Sequence, residues 1–222
     1  YENWDENNKP KLNDNQSYGY SDTNRNPNGW RSIPLQKVAT DILGLEYKEI
    51  RPRVNEFPAY ETNEKYVTIS EYSTMRAKQW NNLGGWYSIV EYFTKKGYKV
   101  LSLNTKQSTT KGVISIHNKD IIEIISILKG SKMHIGVGSG LSWLSWALNV
   151  PTVIISGFSE KWSEPDVDIR IAAPEEKCHG CYNNVYFPFD KSWMWCPMNK
   201  DFECTKSITS NMVIDEIKKL AF

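Results

Sequence analysis

Between residues 65 and 156, short β-branched runs alternate with amphipathic helical runs, and this alternation leaves few folds open to the chain. Residues 65–70 read as a buried strand. Residues 85–96 carry Trp86, Ile89, Val90 and Phe93 at helical spacing and stop at Gly97. Further strands are predicted over 98–103, 113–116, 133–137 and 151–156. Helices are predicted over 119–129, with Ile121, Ile122, Ile125 and Leu128 inward before Gly130, and over 141–148. Such a series builds an α/β, Rossmann-like parallel sheet with helices on both faces. Ligands of these sheets lie at the carboxyl ends of the strands, so the turns after Ser70, Gly136 and Ser156 are where a site is expected. No internal repeat is evident.

Around this region the composition shifts. Residues 1–30 contain eight Asn and almost no aliphatic side chains, a composition that reads as an arm or long loop. Residues 31–64 read as one helix and a linker. Pro34 suits a first helical position, Leu35, Val38, Ala39, Ile42 and Leu43 follow at helical spacing, and Gly44 ends the run before Pro52 and Pro58. Residues 65–222 are then the sheet domain. Lys and Arg total 27 against 26 Asp and Glu, so there is no basic field of the kind that general nucleic-acid binding needs. The most apolar region, residues 133–158, is broken by Gly, Ser, Asn and Pro, and never reaches the ~18 apolar residues of a membrane span. The start at Tyr1 shows no leader pattern, and further chain on the N-terminal side is expected.

Two turns carry candidate chemistry. The first runs from Ser70 through Ser73, Thr74 and Lys78 to Trp80. Two hydroxyls and a lysine after a strand can donate to and neutralise phosphate oxygens, although a helix cap with a solvated lysine gives the same string. The second contains Gly136, Gly138, Ser139, Gly140, Leu141 and Ser142. Its glycines allow close backbone approach, and a helix N-terminus presents unpaired N–H groups to an anion. A tight turn packed on the sheet is the plainer alternative; two such turns in one sheet point more strongly to a diphosphate.

Cys178, Cys181, Cys196 and Cys204 have the spacing C-x2-C-x14-C-x7-C. They point to a four-thiolate metal knuckle over residues 176–206, with no open coordination position and hence a structural role. Spacing does not separate zinc from iron. His117 and His134 read as core or edge histidines, and His179 as a ligand only if one cysteine is not. Trp80 or Phe158 is a candidate stacking partner for a base.

The pair of turns resembles the donor half of the bacterial heptosyltransferases, which are GT-B enzymes. The segments 78–86, 138–148 and 155–159, together with 34–45 and the cysteine segment, are similar to the autotransporter O-heptosyltransferase branch. The likeness covers roughly residues 30–220. It implies a C-terminal GT-B half that binds ADP-heptose, with Ser73, Thr74 and Lys78 on the donor phosphates, Ser139, Gly140 and Leu141 opposite, and Trp80, Gly138 and Ser142 in the same set. It also implies a rubredoxin-like iron in the four-cysteine site, a serine of a bacterial autotransporter adhesin as acceptor, cytoplasmic location and a homo-oligomer. Two departures stand out. Gly138 occupies a place where heptosyltransferases usually carry Asp, and the family's acceptor-side domain with its catalytic Asp is expected outside this chain. Asp41 and Glu71 are the substitutes for that base. The alternatives are a GT-B donor domain for another nucleotide sugar, such as a UDP-sugar, and a non-catalytic, metal-stabilised oligomerisation module.

Overall fold

A computed structural model describes residues 29–54, 57–189 and 193–220. Most of the Asn-rich stretch lies outside them. The chain divides into two compact units, Tyr1–Glu49 and Ile50–Phe222. In the first, α1 (Leu35–Ile42) starts at Pro34 and carries a Lys37–Asp41 ion pair of 2.7 Å one turn apart. From Ile50 onward the expected linker belongs to the second unit. There the Tyr60 N–H bonds the Ser126 carbonyl at 2.9 Å, and the Lys129 ammonium bonds the Phe57 carbonyl.

The second unit is a six-stranded parallel sheet in the order β3-β2-β1-β4-β5-β6. Its strands are β1 (Tyr66–Ser70), β2 (Lys99–Leu103), β3 (Ile114–Ile116), β4 (His134–Val137), β5 (Thr152–Ser156) and β6 (Ile169–Ala172). Its helices are α2 (Gly85–Lys95), α3 (Ile121–Gly130), α4 (Gly140–Ala147), α5 (Glu203–Ser207) and α6 (Ser210–Lys219). Every residue of β1, β4 and β5 is buried, which is why these strands read as continuous runs rather than alternations. One core holds Val67, Ile69, Val153 and Ile155 against Ile89, Val90 and Phe93 of α2 and Val213 and Ile217 of α6. A second core holds Tyr66, Leu101 and Leu103 against Ile125, Ile127 and Leu128 of α3.

The five strands and three helices predicted over 65–156 are all present, with ends shifted by a residue or two. The inward face of α3 is a correction. Ile121 and Ile122 are 59% and 48% exposed, and Ile127 is buried instead. The first turn, capped reciprocally by Asp120 and Glu123, lies beside the three-residue edge strand β3, which offers little cover. Among the described residues no helix is long and apolar enough to cross a membrane.

The central strands also carry a buried polar seam. His134 accepts or donates to Thr68 Oγ1 at 3.1 Å through Nδ1 and to Ser70 Oγ at 3.2 Å through Nε2. Full burial pushes the imidazole pKa down from 6.5 to about 3. The folded chain therefore holds His134 neutral while an unfolded one takes up a proton below pH 6.5. The stability tied to this difference is complete above that pH and falls as acid is added, by up to about 1.4 kcal/mol per pH unit, until pH nears 3. Urea unfolding across this range should show His134→Gln with a shallower acid limb than the parent chain.

Candidate functional site

In this strand order the chain leaves β1 toward β2 and β3, then crosses back to β4 on the other side of β1. The crevice at such a reversal is where open α/β sheets receive ligands. Ser70 pairs with Gly136, so the turns after β1 and β4 leave the sheet from neighbouring positions about 4.8 Å apart. The two turns singled out in the sequence thus flank one crevice.

On the β1 side, the Ser73 hydroxyl accepts the Met75 N–H at 3.4 Å, and Gln79 Nε2 donates to the Ser73 carbonyl at 2.9 Å. Thr74 is exposed. The short turn Arg76–Lys78 is held from behind by the Ala77 N–H bond to the Trp193 carbonyl, 3.1 Å. Lys78 lies with its ammonium 5.7 Å from the Phe158 ring centroid and forms no ion pair among the described residues. Burial lowers its pKa, and the field of the Glu164 carboxylate opposes that shift.

On the β4 side, Ser139 is the N-cap of α4 in an extended conformation and makes no side-chain cap bond. The first N–H groups of α4 are therefore left for another acceptor, at the positive end of the helix dipole. Gly140 is exposed, and a Cβ there would meet nothing within 4 Å, so the space before the helix is open. An unpaired ammonium and an uncapped helix N-terminus at one crevice suit a phosphate group.

Not every expected donor residue faces that space. Ser142 is fully buried, and its hydroxyl donates to the Val137 carbonyl at 2.8 Å, tying helix to strand. Leu141 packs against the second core. Trp80 is 4% exposed, with its indole N–H bonded to the Ile208 carbonyl and its ring edge-on to Trp86. Phe158 is 2% exposed between Tyr182 and Trp193. This burial argues against a base stacking on either ring.

The structure adds a buried carboxylate that the sequence reading missed. Glu164 accepts from Ser156 Oγ at 2.6 Å and Ser159 Oγ at 2.7 Å, and pairs with Arg170 Nε at 2.6 Å. A Cβ added at Gly138 would come 2.7 Å from Glu164 Oε1. The missing side chain at 138 thus has a physical reason: the Glu164 carboxylate fills its place. The available signal was Arg170, a charge set between Ile169 and Ile171 in an apolar run.

The four cysteines are free thiols: Cys181 and Cys196 belong to a cluster with Ala77, Phe158, Trp193 and Phe202, while Cys204 and Cys178 lie in and against the first core. Burial pushes Cys178 and Cys181 up to about 11 and about 12, and the nearby sulfurs add to this, with Cys178, Cys196 and Cys204 all acting on Cys181. Among the described residues, however, no three Cys, His, Asp or Glu side chains form a ready coordination sphere. The expected metal knuckle is thus present as gathered thiols only. His179 is drawn instead toward Glu160, 3.7 Å away. Backbone bonds from Gly180 to Gly157 and from Tyr182 to Phe158 fasten the cysteine segment to the β5 turn. A cavity of about 330 Å³ opens elsewhere, at the amino ends of β1 and β2 near Tyr60 and Tyr66, away from the crevice where ligands of such sheets lie.

This strand order and this crevice define a Rossmann-like α/β domain of the kind found in solved glycosyltransferases. The Escherichia coli heptosyltransferase WaaC shares the fold, with a TM-score of 0.57 at 14% identity over 84% of this chain. More specifically, the chain is similar in sequence to the autotransporter heptosyltransferases. It is 34% identical over 214 residues to the Escherichia coli autotransporter heptosyltransferase Aah, covering 90% of this chain and 54% of Aah. It is 34% identical over 218 residues to BAHTCr of Citrobacter rodentium, covering 91% and 53%. The crystal structure of TibC from enterotoxigenic E. coli, described as an iron-containing dodecameric glycosyltransferase, superposes with a TM-score of 0.81 at 32% identity, covering 90% of this chain and 56% of TibC. The chain therefore spans about half the length of the curated relatives it matches. No family model matches it.

Gly138→Ala should force its methyl group against Glu164 and cost about 1–3 kcal/mol. Thermal unfolding should report a melting temperature several degrees lower, whereas Gly140→Ala, facing open space, should change it little.

Proposed function

We propose that this chain binds the nucleotide-sugar donor, ADP-heptose, of a glycosyltransferase that O-glycosylates serines of bacterial autotransporter adhesins. The observation that carries this reading is the Lys78 ammonium, which forms no ion pair among the described residues, on the turn that neighbours the uncapped N-terminus of α4. TibC, similar over 90% of this chain, is described in complex with ADP-D-β-D-heptose, which supports that donor. In the reaction, the serine oxygen bonds to the anomeric carbon, the bond from that carbon to the diphosphate oxygen breaks, and ADP leaves. Lys78 and the α4 N–H groups offset the charge growing on the diphosphate, and the hydroxyls of Ser73 and Thr74 donate to its oxygens. Ser139, Gly138 and Gly140 shape the opposite wall. The base that takes the serine proton is assigned to the part of the relatives' length that this chain does not span. Cytoplasmic action and a homo-oligomer belong to the same proposal, the latter supported by the dodecameric description of TibC.

Lys78→Ala should weaken ADP binding by about 1.5–3 kcal/mol, the scale of hydrogen bonds to charged groups. Calorimetry should find adenosine binding nearly unchanged. An equal loss for both ligands would remove Lys78 from the phosphates, and a preference for UDP over ADP would replace the donor.

We propose further that the cysteine segment holds a structural metal. Burial raises the pKa of Cys178, Cys181 and Cys204, with neighbouring sulfurs among the causes, and the Lys200 N–H donates to Cys196 Sγ at 3.3 Å. Cys178, Cys181, Cys196 and Cys204 would hold iron, in keeping with the iron-containing TibC, or alternatively zinc. Bound there, the ion supplies a cross-link and no reactive position. Because this segment backs the Arg76–Lys78 turn, its loss should reach the donor crevice. Purified protein should contain about one metal per chain. Cys181→Ser should lose it and weaken ADP binding; a metal-free chain with four reactive thiols would sink the assignment.

A further inference from the structure

Glu71 follows β1 directly, at the lip of the crevice, and is only 4% exposed. Its carboxylate accepts from Ser102 Oγ at 2.5 Å, Asn104 Nδ2 at 3.2 Å and Ser108 Oγ at 2.8 Å, and also from Thr110 Oγ1. All four donors are neutral side chains. A buried carboxylate kept by neutral donors stands only while they stay in place, because each lost bond exposes a desolvated charge. Ser108 and Thr110 belong to the loop after β2, and Asn104 begins it. The same loop is bonded to the next residue of the β1 turn. The Tyr72 N–H reaches Asn104 Oδ1 at 3.4 Å, and the Tyr72 hydroxyl meets Thr109 Oγ1 at 3.1 Å.

We propose that Glu71 is a positioning residue of the donor crevice, locking the 104–110 loop and the 71–78 turn into one wall without touching the donor. This rests on the donor-site reading above. A general base needs a free lone pair open to the acceptor. Glu71 is sealed, with three donors on Oε2 and one on Oε1, so the substitute-base role expected for it has no geometric support. A positioning role depends on accepting hydrogen bonds rather than on charge. Gln, with its carbonyl in the place of Oε2, keeps three of the four bonds, and the Thr110 hydroxyl can turn to accept from the amide. Ala strands all four donors.

The test uses the 222-residue chain, with ADP calorimetry and hydrogen exchange over residues 71–78 and 104–113. The variants are Glu71→Gln, Glu71→Ala and the loop-side double variant Ser108→Ala/Thr110→Ala. Glu71→Ala and the double variant should weaken ADP binding about tenfold or more and speed exchange in both segments, with β5 and α6 unchanged, because a loosened site binds poorly. Glu71→Gln should stay within about threefold of the parent, since most of its bonds survive. Unchanged ADP affinity in both Ala variants overturns the proposal, as does a Gln variant that fails as fully as Ala, which would mean that the charge itself acts. If Glu71→Ala does not fold, the double variant decides. If the parent chain does not bind ADP, the donor reading fails, and the exchange data alone decide whether Glu71 couples the two segments.

Discussion

β1 and β4 lie far apart in sequence, with Ser70 and His134 separated by 64 positions, yet they pair in parallel from Thr68–His134 to Ser70–Gly136. Side chains as well as backbone make this join. Thr68, Ser70 and His134 interlock along it, and a side chain at Gly136 would strike Ser70 Oγ, Ser142 Oγ and His134 Nε2. Because the chain reverses its direction of travel across the sheet here, the adjoining strand ends leave a crevice that no connection covers. The positions of the Lys78 turn and of the α4 N-terminus follow from this one pairing, and Glu164 is set beside them by Ser156, Ser159 and Arg170.

Around the crevice, packing and ligand binding compete for the same residue types. The aromatic rings near the turns went to packing: Trp80 closes over Gly85, and Phe158 is clasped by Tyr182 and Trp193. The cysteine segment is built into that cluster and bonded to both the Lys78 turn and the β5 turn. The proposed metal cross-link there would stiffen the backing of a lysine whose charge is partly desolvated. Among the neighbouring charges, Glu164 is paired with Arg170, and Glu71 is held by neutral donors. Lys78 forms no ion pair among the described residues and lies over the Phe158 ring.

Much of the fold was legible because its signals are local. Helical spacing in Ile89, Val90 and Phe93, the Asp120–Glu123 cap and the β-branched runs each act over a few residues. The reading failed where burial depends on a neighbour distant in sequence. Ile121 and Ile122 have the period of an inward face but lie beside a short edge strand. β6 and α6 were not anticipated, although the Thr209 cap and the spacing of Val213 and Ile217 carried a helix signal.

The sequence by itself determined the secondary elements over residues 65–156, the glycine and hydroxyl character of the two turns, the cysteine spacing and the family likeness, because these are properties of residues near one another along the chain. Only the tertiary structure decided that the two turns share a crevice, that Trp80, Phe158 and Ser142 belong to packing, that Glu164 takes the space a side chain at 138 would need, and that Glu71 is sealed by a loop more than thirty positions away. Each of these depends on which strands become neighbours, and strand order is set by burying all the apolar faces at once rather than by any single segment.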